Sequence, residues 1–398
     1  MSTRARAFRS LAVVATAVAL AMSSPAAYSS RDRATPPPIS RLGTAPSGYT
    51  MGDPQVLRTR DGVTLVAWDE YYQSPNHLRL ARKVGANAWQ RVPVPVGDLT
   101  SISPPYLIED TVGDRVIMAA NGQGETDGSL GTYVWTSANN GRTWSDPQMV
   151  WDSFGSGNLT PDGSGGFYAV SDLTGVSVVH VPSALTMQHW PDDDLVLSDR
   201  IASRGALDLA TIGRHNTLLF GFADGHNQAW VHVTATPGND RDVRVMRGLY
   251  ADGALKLAAD RTGGVAVAIR EVHTPAGNVN RLFAVAFQID GNALVLRTLR
   301  PISSLGEDVV NFGVTTLKTA TGGSTGRFRI AWRNDADRLR TRQSSQPSDP
   351  VWGTTRTIVT FPARGYVYPA TPALDGAWTS LHAYTKDLHE VEIAVPLG

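Results

Sequence analysis

Past residue 50 the chain shows no sustained 3.6-residue periodicity. Short apolar or alternating runs broken by Gly and Asp take its place, which predicts strands and hairpins. Seven runs stand out: Val63 to Trp68, Arg115 to Ala120, Gly166 to Val170, Thr217 to Phe222, Val265 to Arg270, Arg327 to Trp332 and Thr379 to Tyr384. Their last residues are separated by 52, 50, 52, 48, 62 and 52 positions, and a near-constant period of that length marks a repeat architecture. Each run follows another strand and a turn carrying Gly, such as Asp61-Gly62, Gly113-Asp114 or Gly263-Gly264, where glycine accepts the positive φ of a tight hairpin. A polar loop and a third strand come next (His77 to Lys83, Thr132 to Ser137, Val176 to Val181, Ala229 to Thr234, Arg281 to Phe287, Leu339 to Arg342, Val391 to Val395), and usually a fourth.

Four antiparallel strands repeated radially predict an all-β, seven-bladed β-propeller over residues 48–398, with six blades as the rival count. The seventh unit ends after its third strand. Closing the last blade therefore calls for an N-terminal strand, about Arg41 to Thr50.

Ahead of this body, Arg4, Arg6 and Arg9 precede an apolar run from Leu11 to Met22 and the small residues Ser23, Ser24, Ala26 and Ala27. Residues 1–29 thus read as a secretory signal peptide, too short in its apolar part to span a bilayer, and residues 30–47, with Pro36 to Pro38, as a flexible linker. The expected location is secreted, with no membrane contact after cleavage. Composition narrows the partners. The 36 basic and 36 acidic side chains balance, and loss of the three signal arginines leaves 33 against 36, so a nucleic-acid partner is not expected. The absence of cysteine excludes disulfides, thiolate metal sites and thiol nucleophiles. The histidines show no metal-ligand spacing, no phosphate-binding glycine motif occurs, and Asp192-Asp193-Asp194 reads as a solvated turn; no cofactor or metal is expected.

In the second unit, Ser137-Ala138-Asn139-Asn140-Gly141-Arg142-Thr143-Trp144 fits S-x-D/N-x-G-x-T-W at every fixed place. It resembles the Asp-box, or BNR repeat, of sialidase-like β-propellers, where it closes the hairpin between third and fourth strands on the face away from the site. Ser137, Asn139, Gly141, Thr143 and Trp144 are accordingly expected to be structural: Asn139 bonding the turn backbone, Gly141 left-handed, Trp144 packing between blades. Weaker echoes keep only the tryptophan, at Trp89, Trp190 and Trp352. Sialidases also carry an Arg-Ile-Pro whose arginine clamps the substrate carboxylate. The matching stretch is Met51-Gly52-Asp53-Pro54, with Gly52 in the arginine's place.

Propeller connectivity puts first-to-second and third-to-fourth turns on one face. The longer second-to-third loops and between-blade connections fall on the other, including Asp69 to His77, Asn121 to Gly131, Arg270 to Asn280 and Arg333 to Arg338. Several second strands end there in ionisable groups. Asp69, Glu70 and Glu271 are candidate acid–base carboxylates, and Arg270 and Arg333 candidate ligand-binding arginines near the axis. The sialidase resemblance adds a late tyrosine nucleophile, for which Tyr366 and Tyr368 match in position and type, with Glu271 or Glu307 as its partner.

Three functions follow. The leading one is a secreted, monomeric propeller that recognises extracellular glycan, without turnover where the lost arginine matters. The alternatives are an exo-acting, sialidase-like glycoside hydrolase and a protein-interaction scaffold.

Overall fold

The computed structural model describes residues 39–398 apart from 53, 72–75, 86, 104, 111, 127, 152–154, 172–176, 184–194, 197–200, 213–216, 235–240, 251–254, 261–262, 291–292, 319–323, 337, 346–350, 361–372, 375–379, 387–389 and 395–398. The chain divides between Thr35 and Pro36 into two units. The first, with the expected signal peptide, lies outside the described residues.

The described residues of the second unit are strands and turns with no helix, arranged as a β-propeller. They form seven antiparallel sheets, six of which take their strands along the main path in chain order. The first holds Thr50–Met51, Gln55–Arg58, Val63–Tyr71, His77–Val84 and Gln90–Val92; the second Leu99–Ile102, Tyr106–Asp110, Arg115–Gly124, Leu130–Ser137 and Gln148–Trp151. The third holds Gly155–Pro161, Phe167–Ser171, Ser177–Val181 and Leu195–Val196; the fourth Ile201–Ile212, Thr217–Asp224, Gln228–Thr234 and Arg241–Arg247. The fifth holds Leu255–Ala259, Gly264–Thr274, Gly277–Asp290, Ala293–Leu296 and Arg300–Pro301, and the sixth Val309–Lys318, Ser324–Asn334, Arg338–Gln343 and Arg356–Thr360. The seventh joins Ala373–Leu374, Ser380–Lys386 and Glu390–Ala394 to Ile39–Thr44, whose register runs from Ile39 opposite Ala394 to Thr44 opposite Glu390.

Adjacent sheets touch through their inner strands, Gln55–Arg58 against Tyr106–Asp110 and onward, until Ala373–Leu374 returns to Gln55–Arg58. Side-chain alternation explains the stacking, because successive residues of a strand serve opposite neighbours. In Val63–Tyr71, Leu65 and Ala67 pack with Met118, Trp135 and Trp144 of the second sheet, while Val66 and Trp68 pack with Leu42 and Met51 on the other side. A strand buried on both faces reads as a continuous apolar run.

Two expectations need correction. The N-terminal strand is Ile39–Thr44, inside the stretch expected to be linker, because Leu42 is buried beside Trp68 and the backbone pairs with Glu390–Ala394. The expected long loops are also shorter. Strand pairing carries Asp69 and Glu70 within Val63–Tyr71, and Gly264–Thr274 continues past Glu271 to a turn where Thr274 faces Gly277 at φ 123°. Backbone pairing persists wherever the facing strand offers partners, whatever the side-chain polarity.

Candidate functional site

The inner strands surround an axial cavity of about 150 Å³, to which Gln55, Tyr106, Asp208 and Lys256 bring polar groups and Leu107, Leu159, Leu257 and Val314 apolar ones. Asp208 is buried and accepts the Leu257 amide at 2.6 Å. That carboxylate ties the fourth sheet to the fifth.

Asp69 and Glu70 are both 2% exposed and, as neighbours on one strand, point to opposite faces of the sheet. Glu70 Oε2 accepts from Arg79 Nη2 at 2.9 Å and lies 3.2 Å from His77 Nδ1, whose ring stacks on Tyr49 at 4.9 Å. Arg91 lies over Trp68 at 4.8 Å; burial first, and then the nearby Arg79 charge, lower its pKa against the opposing pull of Glu70. The Asp69 carboxylate rests on Gly52, where an added Cβ would come 1.7 Å from Oδ1. Gly52 is therefore required by the carboxylate beneath it, and a larger side chain would displace Asp69.

The remaining candidates are separate from this pair. Glu271 is exposed on the fifth sheet and accepts from Asn278 Nδ2. Arg333 is half-buried, opposite Asn311 and Leu339 in the sixth sheet. Glu307 is buried: its Oε1 receives Trp332 Nε1 at 3.3 Å, Asn334 Nδ2 at 3.1 Å and Arg340 Nη1 at 3.0 Å, and its Oε2 the Ser304 amide at 2.9 Å. Asp224 accepts the His226 and Gln228 amides and Trp230 Nε1; burial raises its pKa, and these hydrogen bonds outweigh it and leave the carboxyl lowered. Tyr366, Tyr368 and Asp192 to Asp194 lie outside the described residues.

Two arginines that the sequence reading passed over join Arg270. Arg244 and Arg247, from the outer strand of the fourth sheet, line with Arg270, Val245, Met246 and Leu299 a cavity of about 340 Å³ between the fourth and fifth sheets. The Arg241, Arg244, Arg247 spacing on one exposed strand was the signal available for them.

The Asn139 hairpin stands on the opposite face, where Asn140 Nδ2 donates to Asp61 Oδ2 of the first sheet's turn at 2.8 Å. Asn139 Oδ1 accepts the Arg142 and Thr143 amides at 3.1 and 2.9 Å as well as Ser137 Oγ at 3.0 Å, and its Nδ2 donates to Thr143 Oγ1 at 2.8 Å. Gly141 takes φ 75° against Leu65, whose Cδ2 a Cβ would meet at 2.5 Å. Arg82 Nε donates to the Asn140 carbonyl at 2.8 Å, a second link to the first sheet.

A carboxylate also organises the turn between the first two strands of the third sheet. Asp162 accepts the Ser164 and Gly166 amides and Ser164 Oγ, and pairs with His180 Nε2 at 2.7 Å. Burial pushes its pKa up, but the bonds from His180 and Ser164 and the Gly166 amide outweigh this and hold it below 3.8. A depressed folded pKa contributes stability that is present above the unfolded value and lost as pH falls through the folded one. Asp162→Asn is thus expected to flatten the fall in unfolding free energy below about pH 4, measured by urea titration at successive pH values; an unchanged acid slope would remove this carboxylate from the account.

No protein-family model matches the chain, and no curated protein matches it. Solved structures do. The GH93 α-L-arabinofuranosidase of Fusarium graminearum, solved with arabinobiose, is 11% identical, with 90% of this chain and 96% of that one covered and a TM-score of 0.50. A lectin of Aleuria aurantia in complex with α-methyl-L-fucoside is also 11% identical, over 81% of this chain and 99% of that one, with a TM-score of 0.45. A protein of unknown function from Dyadobacter fermentans shares 11% identity over 90% of this chain and 98% of its own, with a TM-score of 0.46. The likeness is one of fold: the chain is a β-propeller whose neighbours among solved structures include a glycoside hydrolase and a glycan-binding lectin.

Proposed function

We propose that the protein is a secreted, seven-bladed, sialidase-like propeller that binds extracellular glycan and does not hydrolyse it. Each of the seven sheets counts as one blade, and the Asn139 hairpin as the Asp-box of the second. The observation that carries the reading is the state of the carboxylates. Acid–base cleavage of a glycoside needs two carboxyl groups facing one substrate about 5–10 Å apart. Glu70 and Glu307 are instead buried against cationic side chains, and Asp224 is engaged by two amides and an indole. Asp69 and Glu70 face opposite ways. The solvent-open cavity between the fourth and fifth sheets is arginine-lined.

The experiment is a glycan array read beside hydrolysis of an aryl-glycoside panel by the same purified protein. Array binding without hydrolysis is the expected result. Release of aryl alcohol that Asp69→Asn or Glu70→Gln abolishes would establish the hydrolase instead, and silence in both assays would favour a protein-interaction scaffold.

A further inference from the structure

We propose that the cavity between the fourth and fifth sheets is the ligand site of this protein and that it selects glycans bearing oxyanions, the carboxylate of a uronic acid or a sulfate ester. This rests on the glycan reading above and moves the site off the propeller axis. The cavity, about 340 Å³, is walled by Arg244, Arg247 and Arg270, and among the described residues no carboxylate lines it. Among the described residues none of the three is in an ion pair with a carboxylate, and the buried Nε of Arg270 has no hydrogen-bond partner. Three guanidinium groups around one cavity with no carboxylate between them repel one another. An oxyanion placed among them relieves that repulsion.

The arginines are also held in position before any ligand arrives. Arg270 lies over the Phe283 ring at 4.8 Å, and its backbone is fixed by a bridge to Leu249 and by the Tyr250 amide on the Ile269 carbonyl at 3.1 Å. Arg244 lies over Trp230 at 5.8 Å and donates from Nη1 to Gln228 Oε1 at 3.0 Å. A guanidinium held over a ring keeps edge N–H donors for a planar or tetrahedral oxyanion. Val245, Met246 and Leu299 give the same cavity an apolar wall, suited to the C–H face of a sugar ring. A small inorganic anion would leave that wall unused.

The test is calorimetric titration of the full chain with four probes: galacturonic acid trimer, a heparin-derived tetrasaccharide, galactose trimer and sodium sulfate. It is repeated with Arg270→Gln, Arg247→Gln and, as a control for charge alone, Arg241→Gln, which shares the strand but does not line the cavity. Binding of either acidic oligosaccharide, weakened tenfold or more by Arg270→Gln and Arg247→Gln and less than twofold by Arg241→Gln, is the expected result. Which acidic sugar binds tells uronate from sulfate. Circular dichroism and melting curves matching wild type keep a folding defect from imitating the loss. Acidic binding that Arg241→Gln weakens equally, or that survives both cavity variants, overturns the site while leaving glycan recognition intact. Preference for the galactose trimer does the same. Sulfate binding without any oligosaccharide, or no binding at all, overturns the proposal together with the reading beneath it.

Discussion

Trp144→Ala is expected to destabilise the protein by about 3–5 kcal/mol, the usual cost of truncating a packed tryptophan. The indole is 8% exposed and belongs to one core with Leu65 and Leu80 of the first sheet and Met118 and Trp135 of its own. Its removal opens a void at the seam between two sheets, which the rest of the hairpin cannot close, since Gly141 already touches Leu65. Urea unfolding should show a lower midpoint at unchanged slope. Glycan preference should be unaltered, because the hairpin shares a face with the Asp61 turn and not with the arginine-lined cavity. A variant as stable as wild type would mean that the seam repacks.

Glu307→Ala should cost a similar amount, about 3–5 kcal/mol, the scale for removing one partner of a buried ion pair. Four donors converge on that carboxylate: Arg340, Trp332 Nε1, Asn334 Nδ2 and the Ser304 amide. Alanine leaves all four without their acceptor. Glu307→Gln should fall between, since an amide oxygen still accepts while the Arg340 charge loses its counterion. Adding Arg340→Leu to Glu307→Leu should recover part of the loss, because neither charge is then left alone. Losses that simply add in this double-mutant cycle, measured by denaturant unfolding, would show that the two residues act independently.

The strand order was legible from residues alone wherever burial is two-sided. Thr217 to Phe222 reads as an apolar run because Leu219 serves one neighbouring sheet while Phe220 and Phe222 serve the other. The turn at Asn139 was legible too, because the bonds of that one side chain run to Ser137, Arg142 and Thr143 and so are encoded within eight residues. The site was less legible, for a different reason. Asp69 and Glu70 look like a strand-end carboxylate pair until the third strand brings His77 and Arg79 alongside and Gly52 slides beneath. Their burial depends on partners that the local sequence does not identify. Arg244 and Arg247 gain meaning only from Arg270, which lies 23 positions beyond Arg247 on another sheet. The arginine spacing on the fourth sheet's outer strand marks one wall of the pocket, and nothing within that repeat marks the other.

The pairing of Ile39–Thr44 with Glu390–Ala394 sets the order in which the chain can finish folding. Every other sheet draws its strands from a contiguous stretch, so it forms as soon as that stretch is available, with short loops to close. The last sheet waits for residue 394 to meet residue 39, the most distant strand partners among the described residues, and the entropy of that closure is recovered only after the intervening sheets have brought the two segments near. Until then Glu390–Ala394 has an unpaired edge, and the segment that protects it is the earliest described strand of the ring to be synthesised. Assembly of the propeller is thus gated by its final step, and a chain interrupted between residues 360 and 390 carries six sheets and an open seam.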